Sequence, residues 1–523
     1  EQDRAECLEA YVRARVGEVS GGAVDVFATT ALKELGLDSL MLVRLRNAFA
    51  RELGAELPAA DVFSAADIRG LARALGAALP ERDTAARPER EDTPAEVPET
   101  ELRPATRDVV RLLRSARPDM PDAAHGVGLA VRLTEPTTRE ALTGILDRLA
   151  ARHAALRTAI VTGPDGARQL RVDRETAEPV LRWTADADPD PAGRLRRLLE
   201  PPFDLASPSL WRFELLDGGT RGQILVFGAH HAVSDLQSLL LVAGEIDAEL
   251  SGTPLGGTVT NRDIDLLIEA QQGGEGAGAE WREAFHGSER LDLTLSRPRP
   301  KTRSYRAGSV TVTLPDGLMQ RVSAAASRLA VTPAAFCLGT LTVLLARKRE
   351  RERFVLAVPV DTRIHADAFG AVGFYGVPVP FPAQAAAGET VEEVLRRTDG
   401  RLEKVLAKGA MFSDVLATLA KQGLYRANAP LVEVYFNFVR FSGGLKRLEV
   451  LPAGTGYTDL DLMITMTPDA GTVRLDHNLD ILDAETATGL GEEFLLLLEE
   501  TARDATAAVR ETGAAAAVEA PAG

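Results

Sequence analysis

Two short stretches hold residue types that can do chemistry. The first is His230-His231-Ala232-Val233-Ser234-Asp235. It follows the apolar run 223–229, which reads as a strand, and precedes a helical pattern over 239–250. The histidines therefore fall in a loop at a strand end, from which an imidazole can project into a cleft. With an ordinary pKa near 6.5, such a ring is mostly neutral at pH 7 and can take a proton from an attacking amine or alcohol. An aspartate four residues on can fix the loop through a buried ion pair. A purely structural histidine pair, held by backbone hydrogen bonds, explains the fragment equally well. The second stretch is Leu35-Gly36-Leu37-Asp38-Ser39-Leu40, just ahead of Leu42, Leu45 and Phe49 at helical spacing. Ser39 is thus expected at a helix start, where free backbone N–H groups and the positive end of the dipole favour an anion. That suits a serine converted to a phosphodiester. The plainer reading of Asp38-Ser39 is a helix cap.

Other candidates carry less. Cys337 lies in Ala334-Ala335-Phe336-Cys337-Leu338, an apolar helical setting that reads as core packing rather than a nucleophile. Cys7 and Cys337 with seven scattered histidines offer no zinc-site spacing. Gly273, Gly274, Gly276 and Gly278 lack the spacing and preceding strand of a dinucleotide-binding loop and read as a flexible connection. No Gly-x-Ser-x-Gly elbow occurs, which argues against a hydrolytic release domain.

The elements that must position these residues fall into blocks. At 523 residues the chain is too long for one core, and three globular units are expected. Residues 1–79 read as an all-α bundle. Leu8, Val12 and Val16 line one helix face, Leu42, Leu45 and Phe49 a second, and Ile68, Leu71 and Leu75 a third. Ser64 and Asp67 read as a capping box opening the last helix. Residues 80–103 bear Pro80, Pro88, Pro94 and Pro98 among charged residues and almost no large apolar side chains, the composition of a solvated linker. Residues 104–505 are mixed α/β. Helices are expected over 140–157, 239–250, 334–347 and 484–502, and strands over 223–229, 354–359, 432–438, 460–467 and 471–477. Residues 506–523 form an Ala-rich, loose tail.

Composition excludes some partners. A net charge of −16 disfavours nucleic acid. No run of about 18 apolar residues exists to span a membrane. Two cysteines fit a reduced cytoplasm. The chain opens on Glu1 rather than Met, which points to a piece of a longer protein, expected to be monomeric when excised.

With Val43-Arg44-Leu45-Arg46-Asn47, the Ser39 motif resembles the acyl carrier proteins of modular polyketide synthases, over roughly residues 5–78. The resemblance implies that Ser39 carries 4′-phosphopantetheine, installed by a phosphopantetheinyl transferase. Its thiol holds an acyl chain supplied by upstream polyketide synthase domains. The His-His-x-x-x-Asp motif resembles that of nonribosomal condensation domains and their acyltransferase relatives. Further matches fall in family order over about 104–505. They are Arg152-His153-Ala154-Ala155-Leu156-Arg157-Thr158, Val331-Thr332-Pro333-Ala334-Ala335-Phe336, Val358-Pro359-Val360-Asp361-Thr362-Arg363, the stretch Gly373-Phe374-Tyr375-Gly376-Val377-Pro378, and Val434-Tyr435-Phe436-Asn437.

This second resemblance implies a two-lobed chloramphenicol-acetyltransferase-like fold, its lobes at 104–275 and 276–505 and a tunnel between them. His231 is expected to act as base or positioner, with His230, Asp235 and Arg363 supporting it and Asp235 paired to Arg363. Ser234, Leu236 and Asn437 are expected to line the tunnel, while Arg152 and Arg157 are structural. No metal is implied. The acceptor is an amine or alcohol, free or on a carrier in trans, and the product an amide or ester. Three features depart from the family pattern. Leu236 stands where glycine is usual, Asn-Thr is missing from 373–378, and the His and Pro-Phe pattern near 408–412 is mostly absent. They motivate an alternative, a catalytically silent docking module. Epimerisation is disfavoured because a polyketide-type carrier presents no aminoacyl group.

Overall fold

In a computed structural model of the chain, the residues described are 2–19, 45, 49, 53, 55, 57, 65, 67–79 and most of 100–509; the larger stretches outside them are 20–44, 80–99, 164–167, 174–180, 186–189, 256–283, 364–367, 408–422, 424–429, 440–444 and 510–523. Ser39, the glycine run at 273–278 and the 408–412 stretch therefore lie outside the described residues.

In the N-terminal unit, α1 (Gln2–Val19) packs against α2 (Ile68–Ala78). Val12 and Val16 meet Ile68, Leu71 and Leu75, and Leu45, Phe49 and Leu57 complete a small core of their own. Spacing of three and four residues puts these side chains on one face, as the sequence implies. The cap of α2 differs from expectation. Asp67, not Ser64, caps it, its carboxylate accepting the Gly70 amide at 2.7 Å. That is the reach of an N-cap to the third helical residue, so the helix opens at Ile68, where its buried face begins.

The N-terminal lobe of the larger unit contains β1 (Thr100–Pro104), α3 (Arg107–Ser115), β2 (Gly126–Leu133), α4 (Arg139–Arg152), β3 (Thr158–Thr162), β4 (Arg168–Asp173), β5 (Leu181–Ala185), α5 (Pro191–Leu199), β6 (Trp211–Asp217), β7 (Gln223–His230) and α6 (Leu236–Leu250). The C-terminal lobe contains β8 (Ala307–Thr313), α7 (Leu318–Leu329), α8 (Pro333–Arg349), β9 (Arg353–Asp361), β10 (Gly376–Gln384), α9 (Val391–Ala407), β11 (Val434–Phe438), β12 (Leu448–Leu451), β13 (Leu462–Thr467), β14 (Thr472–Asn478) and α10 (Ala484–Arg503). Among the described residues the strands form three sheets, in the orders β1-β4-β3, β12-β2-β7-β6-β5 and β10-β9-β11-β13-β14-β8. Strand β12, from late in the chain, pairs antiparallel with β2 and so joins the N-terminal lobe's sheet.

Every residue of β7 is buried, because α5 covers β2, β6 and β7 and the strand is central in its sheet. The approach of α5 is close. A Cβ on Gly128 would meet Leu195 Cδ1 at 2.6 Å, and one on its cross-strand partner Gly228 would meet the Val127 carbonyl oxygen at 2.5 Å. In the other lobe, α8 is buried along most of its length, and Cys337 lies within it. Burial pushes that thiol far above its ordinary pKa, in keeping with core packing. Helices α7, α8 and α10 pack together, and α10 lies on β8 and β14. Among the described residues, no single helix is long and apolar enough to cross a membrane.

The structure corrects several boundaries of the sequence reading. Residues 100–103, expected as linker, belong to β1, which pairs with β4, and residues 506–509, expected in the loose tail, pack on 389–391 with Val509 buried. Two helix ends also differ. The helix expected over 140–157 ends at Arg152; His153 turns to extended backbone, and a 3₁₀ turn covers Ala154–Arg157. Side-chain bonds explain the stop. His153 Nε2 reaches Glu245 of α6 at 2.6 Å, and Arg157 Nε donates to the Ala150 carbonyl, a helix-end acceptor with no helical donor left. Helix α6 opens at Leu236 rather than 239, because the Asp235 carboxylate caps it by accepting the Ser238 amide at 2.7 Å.

Candidate active site

Strand β7 carries the histidine pair to its end. Backbone pairing stops at His230, a 3₁₀ turn spans His231–Val233, and Asp235 begins α6. The two imidazoles meet different surroundings. His230 is buried beside the Phe203 ring at 5.5 Å and the His125 ring at 5.6 Å, and its Nδ1 accepts the Ala232 amide. Burial, with the nearby His125, His231 and Arg212, pushes its pKa down to about 3, so it is neutral across the physiological range.

His231 is partly exposed. Its Nδ1 lies 2.7 Å from the Ser234 carbonyl oxygen. Only an N–H can donate to a carbonyl, so Nδ1 carries a proton, and the lone pair of the neutral ring falls on Nε2. The Phe374 ring meets the imidazole edge-on, 4.8 Å between centroids, and fixes its other side.

Asp235 is almost fully buried and its carboxylate accepts four hydrogen bonds. Oδ1 takes Ser238 N at 2.7 Å and Arg363 Nη2 at 2.9 Å; Oδ2 takes Tyr375 N at 2.8 Å and Gly376 N at 2.6 Å. Burial by itself raises a carboxyl pKa. Here the Arg363 charge and these hydrogen bonds outweigh it and hold Asp235 below its ordinary value. Arg363 is buried as well, donating to Asp361, to the Ala371 carbonyl and to Ser238 Oγ, and lying over the Tyr375 ring. Burial lowers its pKa, but Asp235 and Asp361 reverse the direction. Ser238 Oγ also accepts Gly373 N and donates to Gly373 O. The start of α6 in one lobe is thereby tied to the end of β9 and to residues 371–376 in the other. Phe374 reaches His231 from within that tied loop.

The remaining expected residues fall out as follows. Ser234, expected to line the passage, is fully buried, and its hydroxyl lies against the Asp235 carbonyl at 3.4 Å. Its contribution is the carbonyl that orients His231. Leu236 is half-buried at the first position of α6 with right-handed backbone, so glycine is not required there for conformation. Asn437 lies on β11, on the same face as Tyr435. That face is opposite Val434 and Phe436, and Phe436 packs on Phe494 of α10. Burial, and secondarily the Asp235 charge, push the Tyr435 phenol up. Arg152 joins Glu245 at 2.9 Å and holds α4 to α6, away from the reacting groups. Residue-type reasoning missed Phe374, whose role appears only through the folding back of 371–376, and His125, a lone histidine just before an apolar strand.

The comparisons agree with this architecture. A family model described as Condensation domain matches residues 123–520, and one described as Phosphopantetheine attachment site matches residues 10–75. The chain belongs to the condensation-domain family, with a phosphopantetheine-bearing carrier domain ahead of it. Phosphinothricin tripeptide synthetase PhsB of Streptomyces viridochromogenes is 26% identical, over 89% of this chain and 41% of that protein. The polyketide synthase–nonribosomal peptide synthetase ACE1 of Pyricularia oryzae is 23% identical, over 75% of this chain and 10% of that one. The chain thus spans less than half the length of these curated relatives. In fold it is similar to the first condensation domain of the CDA synthetase (TM-score 0.66, 20% identity, 79% and 98% of the two chains). It is equally similar to the condensation domain of the Monacolin K polyketide synthase MokA (TM-score 0.66, 17% identity, 78% and 99%).

Condensation domains are acyltransferases that form amide or ester bonds, and this chain is an enzyme of that class. The carrier match implies covalently attached 4′-phosphopantetheine. In the described part of the carrier, Leu45 and Phe49 are helical and buried in its core.

Proposed function

We propose that the chain passes an acyl group from its own carrier domain to an amine or hydroxyl acceptor, with Ser39 as the attachment point and His231 as the base. When bound, phosphopantetheine supplies a thiol that holds the acyl group as a thioester. The long arm keeps this donor near the condensation domain at high effective concentration. The carrier motif Leu35–Leu40 with Arg46-Asn47 supports a polyketide-type acyl chain made by upstream synthase domains.

The observation that carries the reading is the state of His231. Its Nδ1 proton is committed to the Ser234 carbonyl and its ring is braced by Phe374, so the neutral ring carries its lone pair on Nε2. That nitrogen can accept the proton of the nucleophile as the new C–N or C–O bond forms and the C–S bond breaks. The proton then goes to the departing thiolate. His230, held neutral behind it, adds no charge to oppose protonation of His231. Asp235 and Arg363 act by holding the two lobes around the site.

The departures from the family pattern weigh less than they do on sequence alone. Residues 373–376 bind Asp235 and Ser238 through main-chain groups, so the missing Asn-Thr does not undo the tie. This favours an active domain over a silent docking module. The test is His231→Ala in the full chain, loaded with an acyl-phosphopantetheine and offered a panel of amines and alcohols. Loading measured by intact-protein mass spectrometry should be unchanged, and product should fall by a factor of about 100 or more, the scale of general-base catalysis. Equal turnover in variant and wild type would remove His231 from the reaction.

A further inference from the structure

We propose, building on that reading, that His125 is a specificity-determining residue that hydrogen-bonds a polar group of the acceptor close to its nucleophile. The placement comes first from strand register. Gly126 pairs with His230 at the end of the β2–β7 ladder. At that end His125 closes the 3₁₀ turn that leads into β2, and His231 opens the one that follows β7. The His125 ring also lies 5.6 Å from that of His230, so three imidazoles gather where β2 and β7 stop.

The second observation is an unmet hydrogen bond. His125 is 8% exposed, and its Nε2 is buried with no hydrogen-bond partner among the described residues. Leaving such an atom unsatisfied costs stability, and a polar group of the acceptor entering beside His230 and His231 would supply the missing partner. The charge state suits this. Burial lowers the His125 pKa, and His231 lowers it further, while Asp459 and Asp122 act in the opposite direction. The net result is a neutral ring, which gives or takes a hydrogen bond without placing a fixed charge against the base.

A site built to hydrogen-bond a substrate group discriminates against the analogue lacking it, because its own polar atom is then left unpaired. The acceptor class that follows is an amine or alcohol with a second hydroxyl, carbonyl or amide near the nucleophile. A simple alkylamine fits poorly. A matched pair of probes is 2-aminoethanol and propylamine, similar in size and differing by OH for CH₃.

The test uses the full chain and two readouts. In the first, ¹⁵N-histidine NMR follows the imidazole signals, with His125 assigned by its loss in His125→Phe. 2-Aminoethanol should shift the His125 resonance, propylamine should not, and the response should persist in His231→Ala. In the second, acyl transfer to each amine is measured by mass spectrometry. Wild type should favour 2-aminoethanol in kcat/KM by about tenfold, the worth of one net hydrogen bond. His125→Phe, which keeps an aromatic ring against His230, should bring the ratio near one, chiefly through KM, and His125→Gln should restore part of it. A silent His125 resonance, or equal losses for both amines in His125→Phe, would overturn the proposal. Absence of turnover in wild type would instead count against the acyl-transfer reading, and the NMR response would still decide the role of His125.

Discussion

His230 and His231 are neighbours in sequence and differ in every physical respect that matters. One is enclosed between Phe203 and His125 with its Nδ1 accepting an amide; the other is partly exposed with its Nδ1 donating to a carbonyl. A prediction follows from the buried one. Its folded pKa of about 3 lies below its ordinary 6.5, so the unfolded chain binds the extra proton first as pH falls. The stability held by neutral His230 is complete above about pH 6.5 and is lost progressively between 6.5 and 3, at up to about 1.4 kcal/mol per pH unit. Replacing it with phenylalanine keeps the ring and removes the titration. Urea midpoints taken from pH 7 to pH 4 should fall less steeply for His230→Phe than for wild type; parallel curves would show that burial does not hold this imidazole neutral.

At the scale of elements, the site depends on how closely α5 lies on the strands that carry it. Gly128 and Gly228 face each other across β2 and β7, and any Cβ on Gly228 meets backbone rather than a movable side chain end. Gly228→Ala should therefore force the strands or α5 apart. The expected cost is about 1–3 kcal/mol, the usual range for overpacking. Because β7 runs directly into His231, turnover should fall along with the thermal midpoint. An unchanged midpoint would mean that α5 has slack there. The start of α6 works differently. Its cap, Asp235, is also the acceptor for the other lobe, so local helix formation and lobe contact are one arrangement.

For the molecule as a whole, the Asp235–Arg363 pair is the joint between lobes. Removing one partner leaves the other charged and buried, which typically costs about 3–5 kcal/mol. Asp235→Ala and Arg363→Met should each lower stability on that scale and reduce activity with it. The double variant should lose less than the sum, because the two act through one contact. Additive losses in a thermal or urea double-mutant cycle would show that the partners act independently. The pH signature is distinct from that of His230. The folded pKa of Asp235 lies below its ordinary 3.8, so this contribution is present above about pH 3.8 and disappears as pH falls through the folded value. Acid titration of Arg363→Met should be shallower in that window.

Much of this protein could be read from residue order because the relevant physics is local. Helical spacing marked the carrier core at Val12, Val16, Ile68, Leu71 and Leu75, and the apolar run before His230 marked β7. Those two features are present. The Asp235–Arg363 pair, present at 2.9 Å, was expected from the family resemblance and not from local order. What residue order left open depends on segments far apart in the chain. The pairing of β12 with β2 joins positions more than 300 residues apart, and no local pattern specifies it. The place of Phe374 against His231, the enclosure of Ser234 and the end of the helix at Arg152 were likewise set by distant contacts. So was the position of His125 against His230. Side-chain spacing reports which face of an element is buried; what covers that face, and which ring nitrogen stays without a partner, is decided only when the lobes close on each other.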